Sequence, residues 1–465
     1  MKKIVSVAST VQANLLLCCS AAVLLSACGG GSADSGQSAQ QAATSNDSVA
    51  AVSGQSAGVA NSSNVAAPIP SSTESAPGAT VAPPDNSTVA TTAPSVTQAA
   101  PAATPGDSTR LLAESAAPAA AANHLYVATT GSDSNPGTLA APFKTIAKAD
   151  SRAGAGYVIH VAPGVYNVSA PSLGNAGIIT SKSGTSAARI RYVSDVKWGA
   201  KIVVSGTGIT WDSRGSYVDI EGFDISGSGR HGILASGAYL SMRNNFIHDL
   251  TISGGCNGSG GAAIDTYGPV GNVVIDSNVV RNIGASMIGR CNTVQGIYIA
   301  NPNNLVTNNI VSGVAMAGIQ QWHGATASTI VNNTTFHNKD GILLGQGDAG
   351  TTATGSENNY VANNLVYDNA AYGIIELGKM GGNNRYANNL VASSGSNWRV
   401  AGSVSGSVSA NPQFANYRAD GTGDYHVLSG SPAIDKGTSA QAPASDFAGV
   451  ARTRGAAVDI GAYEF

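Results

Sequence analysis

Apolar and polar positions in the second half of the chain alternate in short runs, and a helical period is missing throughout. Two runs recur. The first is an isoleucine-centred unit: HGIL at 231, AAIDTY at 262, QGIYIA at 295, AGIQQW at 317, DGILLG at 340 and YGIIEL at 372. The second places asparagine before a short apolar pair: RNNFIHD at 243, DSNVVRN at 276, TNNIVSG at 307, VNNTTFHN at 331, ANNLVYDN at 362 and ANNLVASS at 387. The two alternate without a miss, and steps between the first units run from 22 to 33 residues. Such a period marks a repeat architecture. Each unit fits one coil of an all-β, single-stranded parallel β-helix, with inward and outward residues alternating along every strand. Asparagine recurring at one turn predicts a stacked amide ladder, because Asn tolerates left-handed backbone and satisfies neighbouring polar groups. A β-propeller would need longer blades of four strands.

The ends of the repeat carry their own signals. Residues 124–167 read as strand, turn, short amphipathic helix and strand. That helix could cover the open first coil, whose strand edges would otherwise be exposed. The run GSDSNPGT followed by PFKTIAKA (131–149) resembles the opening of family 9 pectate lyases and other bacterial β-helix proteins. The tail SGSPAIDKGT to DIGAYEF (429–465) is similar to the C-terminal segment of secreted right-handed β-helix proteins. The resemblance implies a right-handed helix over 124–465. It does not imply one reaction, because this frame carries lyases, hydrolases, epimerases and non-catalytic binders.

The first 123 residues differ in kind. Residues 1–28 place two lysines before an apolar run ending in Leu-Ser-Ala-Cys, the shape of a secretory signal. The segment also resembles a bacterial lipoprotein signal, in which Cys28 would become the lipidated N-terminus. Gly29 rather than Asp at the next position then implies outer-membrane sorting. The expected location is the cell envelope, lipid-anchored and periplasmic or surface-exposed, with nothing spanning the bilayer. Residues 29–123 are nearly all small, polar or proline, with sparse charge and no aromatics. They cannot bury enough apolar area to offset chain entropy and read as a disordered tether. Net charge is −3, so no strong field attracts nucleic acid. A monomer is expected. Cys256 and Cys291 remain in the exported domain, on adjacent coils at nearly the same corner, where a disulfide is geometrically easy.

Coil spacing also shows where loops lie. Insertions at 250–262 and 282–294 precede isoleucine units, and 345–358 follows one. They flank the same strand from both sides, and function concentrates where loops cluster on a rigid scaffold. With the isoleucines inward, Asp265, Tyr298 and Gln320 point out, as do Tyr267 and Trp322 two residues on. This mix of aromatic platforms and hydrogen-bonding groups suits a polysaccharide.

β-Elimination of a uronate needs a base for the proton beside the carboxylate and a cation for the enolate-like charge. Lys379, in ELGKMGGNN, is similar in setting to the catalytic lysine of family 9 pectate lyases. His323 is a candidate base or acid near neutral pH, and Arg290 a candidate charge neutraliser. The calcium site of that family uses an aspartate-rich start of a strand. The matching place here is NKDGILL, where Asp340 remains beside Lys339. Asp340 and Asp348 are the metal candidates, and calcium the candidate ion. His248 and His337 read as structural. Two functions fit: a surface-anchored lyase of an acidic glycan, or a non-catalytic glycan-binding or adhesion lipoprotein. Hydrolysis by paired carboxylates is a third.

Overall fold

A computed structural model describes residues 123–252, 255–257, 259–267, 271–347 and 355–465. The signal, Cys28, the tether up to residue 122 and Asp348 lie outside them. The described chain winds through three parallel sheets. A base sheet of 11 strands runs from Asn123–Val127 to Ser403–Ser405. A back sheet of nine strands runs from Gly164–Ala170 to Leu390–Ala392. A front sheet of nine strands runs from Ala176–Thr180 to Ser396–Arg399. The chain passes base, back, front and base again, one strand per sheet per coil. This is the single-stranded right-handed parallel β-helix expected from the repeats, with the isoleucine units forming front-sheet strands. The front sheet holds nine coils where the pattern showed six. Ile178, Trp211 and Trp398 take the isoleucine place in the other three.

Register explains the interior. Trp211, Ile233, Ile264, Ile297, Ile319, Ile342 and Ile374 pair coil to coil and are fully buried. Burying each isoleucine is worth about 1.5–3 kcal/mol, and each one needs its neighbours above and below to exclude water. The one α-helix among the described residues, α1 (Ile146–Arg152), turns Ile146 and Ala149 into the same core and so caps the first coil. Thr145 caps its N-terminus by accepting from the Lys148 amide.

The paired asparagines divide their labour. In Asn244, Ser277, Asn308, Asn332, Asn363 and Asn388, the first position takes a left-handed backbone, with φ between 51° and 57°. The second position builds the ladder. Asn245, Asn278, Asn309, Asn333, Asn364 and Asn389 are fully buried, each amide but the last donating to the next side-chain oxygen at 2.9–3.1 Å. Every one of these oxygens beyond the first also accepts the backbone N–H of the preceding ladder asparagine. Further ladders form at the other two corners, through Asn338 and Asn369 and through Asn359 and Asn384.

The first asparagines hold the C-terminal segment. Asn332 donates to the carbonyls of Asp459 and Gly461, Asn363 to Thr438 and Asn388 to Lys436. Phe414, Tyr425, Ile460 and Ala462 then cover Phe336, Leu365 and Leu390 on the outside of the back sheet. Both the back sheet's outer face and this tail are thereby committed to packing.

Asn333→Ala would strip a buried donor from the Val306 carbonyl and a buried acceptor from the Asn309 backbone amide. At about 1–3 kcal/mol for each unsatisfied group, calorimetry should show a clear fall in Tm. Asn332→Ala should instead leave the coils intact and speed proteolysis within the tail.

Candidate functional site

Loops bound the outer side of the front sheet on the back-to-front flank, as the spacing indicated, while most of the 345–358 insertion lies outside the described residues. On this flank, Cys256 and Cys291 are joined by a disulfide, with Cα atoms 4.9 Å apart. The bridge ties two back-to-front loops together, each with a short 3-10 turn, Gly255–Asn257 and Ala285–Met287. Lys339, from the corner two coils on, hydrogen-bonds Asn292 of the second loop.

Residues that follow each inward position form an outward column. In register it reads Ile179, Asp212, Leu234, Asp265, Tyr298, Gln320, Leu343, Ile375 and Arg399. Its centre, Asp265–Tyr298–Gln320, joins three of the residues singled out in the sequence. At the corner beyond the strands, His323 places Nε2 2.9 Å from the Tyr298 hydroxyl. Tyr267 meets the His323 ring edge-on with centroids 5.3 Å apart, and it is 54% exposed. The structure thus collects Asp265, Tyr267, Tyr298, Gln320 and His323 at one place. His323 sits at φ 56°, a left-handed conformation that is uncommon away from Gly and Asn.

Electrostatics sharpen this cluster. Asp265 is buried, and burial pushes its carboxyl up to about 7, against smaller lowering effects of the Tyr267 amide and the Arg230 charge. His231 lies beside it, Nδ1 3.2 Å from Oδ2, and burial with the Arg230 charge brings its imidazole down to about 3. Burial favours a neutral carboxylic acid against a neutral imidazole rather than an ion pair, and the Arg230 charge adds to this only at His231. The Arg230 guanidinium is anchored on the Ser259 carbonyl, while its Nε is buried without a partner. Arg230 and His231 went unnoticed in the sequence. HGIL signals a strand, and only register shows that His231 faces Asp265 of the next coil.

The other candidates are placed differently. Trp322 is half-buried. Its ring lies over the strand at Gly345 and Gly347, where an added Cβ would come within 2.4 and 2.3 Å of ring atoms. It packs with Met316, Leu343, Ile375 and Tyr372. Arg290 is exposed and turns back on its own loop to bond the Ser286 carbonyl at 2.9 Å. Lys379 is exposed and follows Tyr372–Gly378, the front strand two coils beyond that of His323. Asp340 is buried and accepts the Tyr372 amide at 3.2 Å, with burial raising its carboxyl above the usual range. Calcium takes six to eight oxygens. Among the described residues, no group of three or more His, Cys, Asp or Glu side chains is arranged to hold a metal ion. The described residues, Asp340 among them, do not fit a calcium cage. His248 joins an ion-paired network with Asp224 and Asp249 on the back sheet, away from this face.

The raised Asp265 carboxyl makes stability depend on pH. The folded protein keeps this proton to higher pH than the unfolded chain. The group's contribution is therefore most favourable in acid and is lost as pH rises from the ordinary carboxylate range through about 7. Tm measured from about pH 5 to about pH 8 should fall more steeply for the wild type than for Asp265→Asn.

Comparison with known proteins agrees with this architecture. Residues 125–293 match a family model described as "Pel9A-like, right handed beta helix region". No curated protein sequence matches the chain. Among solved structures, pectate lyase Pel9A is similar with a TM-score of 0.53 at 16% identity, over 75% of this chain and 98% of that one. A rhamnogalacturonan lyase gives 0.46 at 17% identity, over 66% and 96%. The first likeness concerns the fold, and with the family match over the N-terminal coils it makes this chain a pectate-lyase-like right-handed parallel β-helix.

Proposed function

We propose that this β-helix is a polysaccharide lyase that cleaves a uronate-containing glycan by β-elimination on the outer face of the front sheet, held at the cell envelope through Cys28 and the segment 29–123. The observation that carries the reading is the Tyr298–His323 contact, 2.9 Å long, between an aromatic flank and a neutral buried acid. Elimination needs one group that takes a proton from the carbon beside the carboxylate and one that gives a proton to the leaving oxygen. The Tyr298 oxygen takes the C5 proton while its own proton moves to His323 Nε2. The electrons of the C5–H bond form the C4–C5 double bond as the C4–O bond breaks. Tyr298 delivers the abstracted proton to the leaving oxygen, and His323 returns the phenol proton.

The enolate-like charge develops on the substrate carboxylate. Gln320 flanks Tyr298 on one side of the column and supplies a neutral hydrogen-bond donor, and Arg230 is a nearby positive charge. On the other side, the Asp265 carboxyl keeps its proton toward neutral pH and so sets little negative charge against the substrate carboxylate. This assignment replaces Lys379 and Arg290 with groups that register gathers round one point. The similarity in fold to pectate lyase Pel9A supports a polysaccharide as substrate.

Hydrolysis by two carboxylates is the second reading that geometry brings up. Asp212 and Asp265 stand two strands apart in the column, about 10 Å by strand spacing and near the upper end for an inverting pair. Asp212, however, is already bound by Arg214 at 2.6 Å and Ser236 at 2.7 Å, and Leu234 stands between the two. An engaged carboxylate is poorly placed to activate water.

Residues 123–465 incubated with polymers of galacturonate, mannuronate and guluronate should generate the ultraviolet absorbance of an unsaturated uronate. Tyr298→Phe and His323→Ala should each reduce that rate by at least about 100-fold, the low end for acid–base groups. Reducing ends without unsaturation would point to hydrolysis and make Asp212→Asn the critical variant. Binding without turnover on every polymer would sink the lyase reading in favour of a non-catalytic glycan binder.

A further inference from the structure

The column continues beyond the Tyr298 site, and its order of chemistry is informative. After Gln320 come Leu343 and Ile375, then Arg399 on Ser396–Arg399, the last strand of the front sheet. Met316, Leu343 and Ile375 are buried in one apolar cluster on this side of the sheet, and the partly exposed rings of Trp322 and Tyr372 pack against them. Arg399 is exposed at its far side. Its guanidinium lies over the Tyr372 ring, 5.6 Å from the centroid, and Nη1 donates to the Tyr372 hydroxyl at 3.2 Å. Among the described residues, no carboxylate is within ion-pairing distance of Arg399. Tyr372 therefore holds a fork of donors in place and leaves its charge unneutralised, at the apolar end of the column.

We infer that Arg399, oriented by Tyr372, is a remote carboxylate subsite, so that the front sheet binds an acidic oligosaccharide along the column from Tyr298 to Arg399. This rests on the lyase reading for the position of the cleavage point. Tyr298 and Arg399 are four strand steps apart, about 19 Å at the parallel spacing. An extended 1,4-linked pyranose chain advances by about one such spacing per sugar. The site thus reads about four sugars on one side of the scissile bond, with the partly exposed rings of Trp322 and Tyr372 under the intervening sugars. Planar guanidinium suits a carboxylate by bidentate pairing, which lysine cannot reproduce.

The test measures chain-length dependence with trimers and hexamers of galacturonate, mannuronate and guluronate. On the hexamer that the wild type turns over, Arg399→Ala should raise KM about tenfold, the equivalent of one good charged contact, with kcat unchanged. The trimer cannot span the distance, so its kinetics should not change. Arg399→Lys should recover only part of the loss, and Tyr372→Phe should weaken hexamer binding in the same direction. Equal KM values for wild type and Arg399→Ala on the hexamer would overturn the inference while leaving the lyase reading intact. Equal losses on trimer and hexamer would overturn it too, since the effect would then be general. If the wild type binds hexamer without turnover, the same series read by calorimetry decides the subsite separately. If it binds no uronate oligomer, subsite and lyase reading fall together.

Discussion

The backbone hydrogen bonds between successive coils fix everything else in this protein. Each strand pairs with its counterpart one coil away, so a residue is repeated in space at about the strand spacing. A side chain that suits one coil must then suit a stack. Isoleucines stack because branched apolar groups fill the interior above and below themselves. Asparagines stack because an amide is both donor and acceptor and can pass the same bond along the line. Neither device works for an isolated coil, which is why burial and polar satisfaction are properties of the array.

The same constraint separates the faces. The back sheet's outer face is spent on the C-terminal segment, held by asparagines whose left-handed backbone frees their amides to point outward. The front sheet's outer face keeps Tyr267, Tyr298, His323, Tyr372 and Arg399 at least partly accessible. Stacking also makes a ligand groove linear, with one position per coil. A polymer whose repeat is close to the strand spacing is the natural occupant of such a column. The polar centre at Tyr298 and the cation at Arg399 are two points on that line, separated by an apolar stretch.

The buried acid shows how the front face departs from the rest of the scaffold. Elsewhere, ladders satisfy the buried asparagines, and ion pairs such as Arg452 with Glu464 at 2.8 Å hold buried charges. Asp265 faces a neutral imidazole and keeps its proton toward neutral pH. A fold that satisfies its asparagines so thoroughly retains here a carboxyl whose charge is costly, as burial also makes it at Asp340 on the same sheet. Such an environment is characteristic of functional sites.

The sequence alone determined the repeat, the isoleucine interior, the asparagine corner, the capping helix, the paired cysteines and the loops on both flanks of one strand. These are legible because each is a residue type recurring at a period, or an interruption of that period. It also named Asp265, Tyr267, Tyr298, Gln320 and His323, since alternation tells inward from outward. Tertiary structure decided the rest, because coil lengths vary and pairing between coils cannot be counted from spacing alone. It put His231 against Asp265, His323 on the Tyr298 hydroxyl and Arg399 over Tyr372. It also laid Trp322 across Gly345 and Gly347, turning an outward aromatic into part of the floor. Each of these contacts joins residues from different coils, and only the register of the stacked strands brings them within reach.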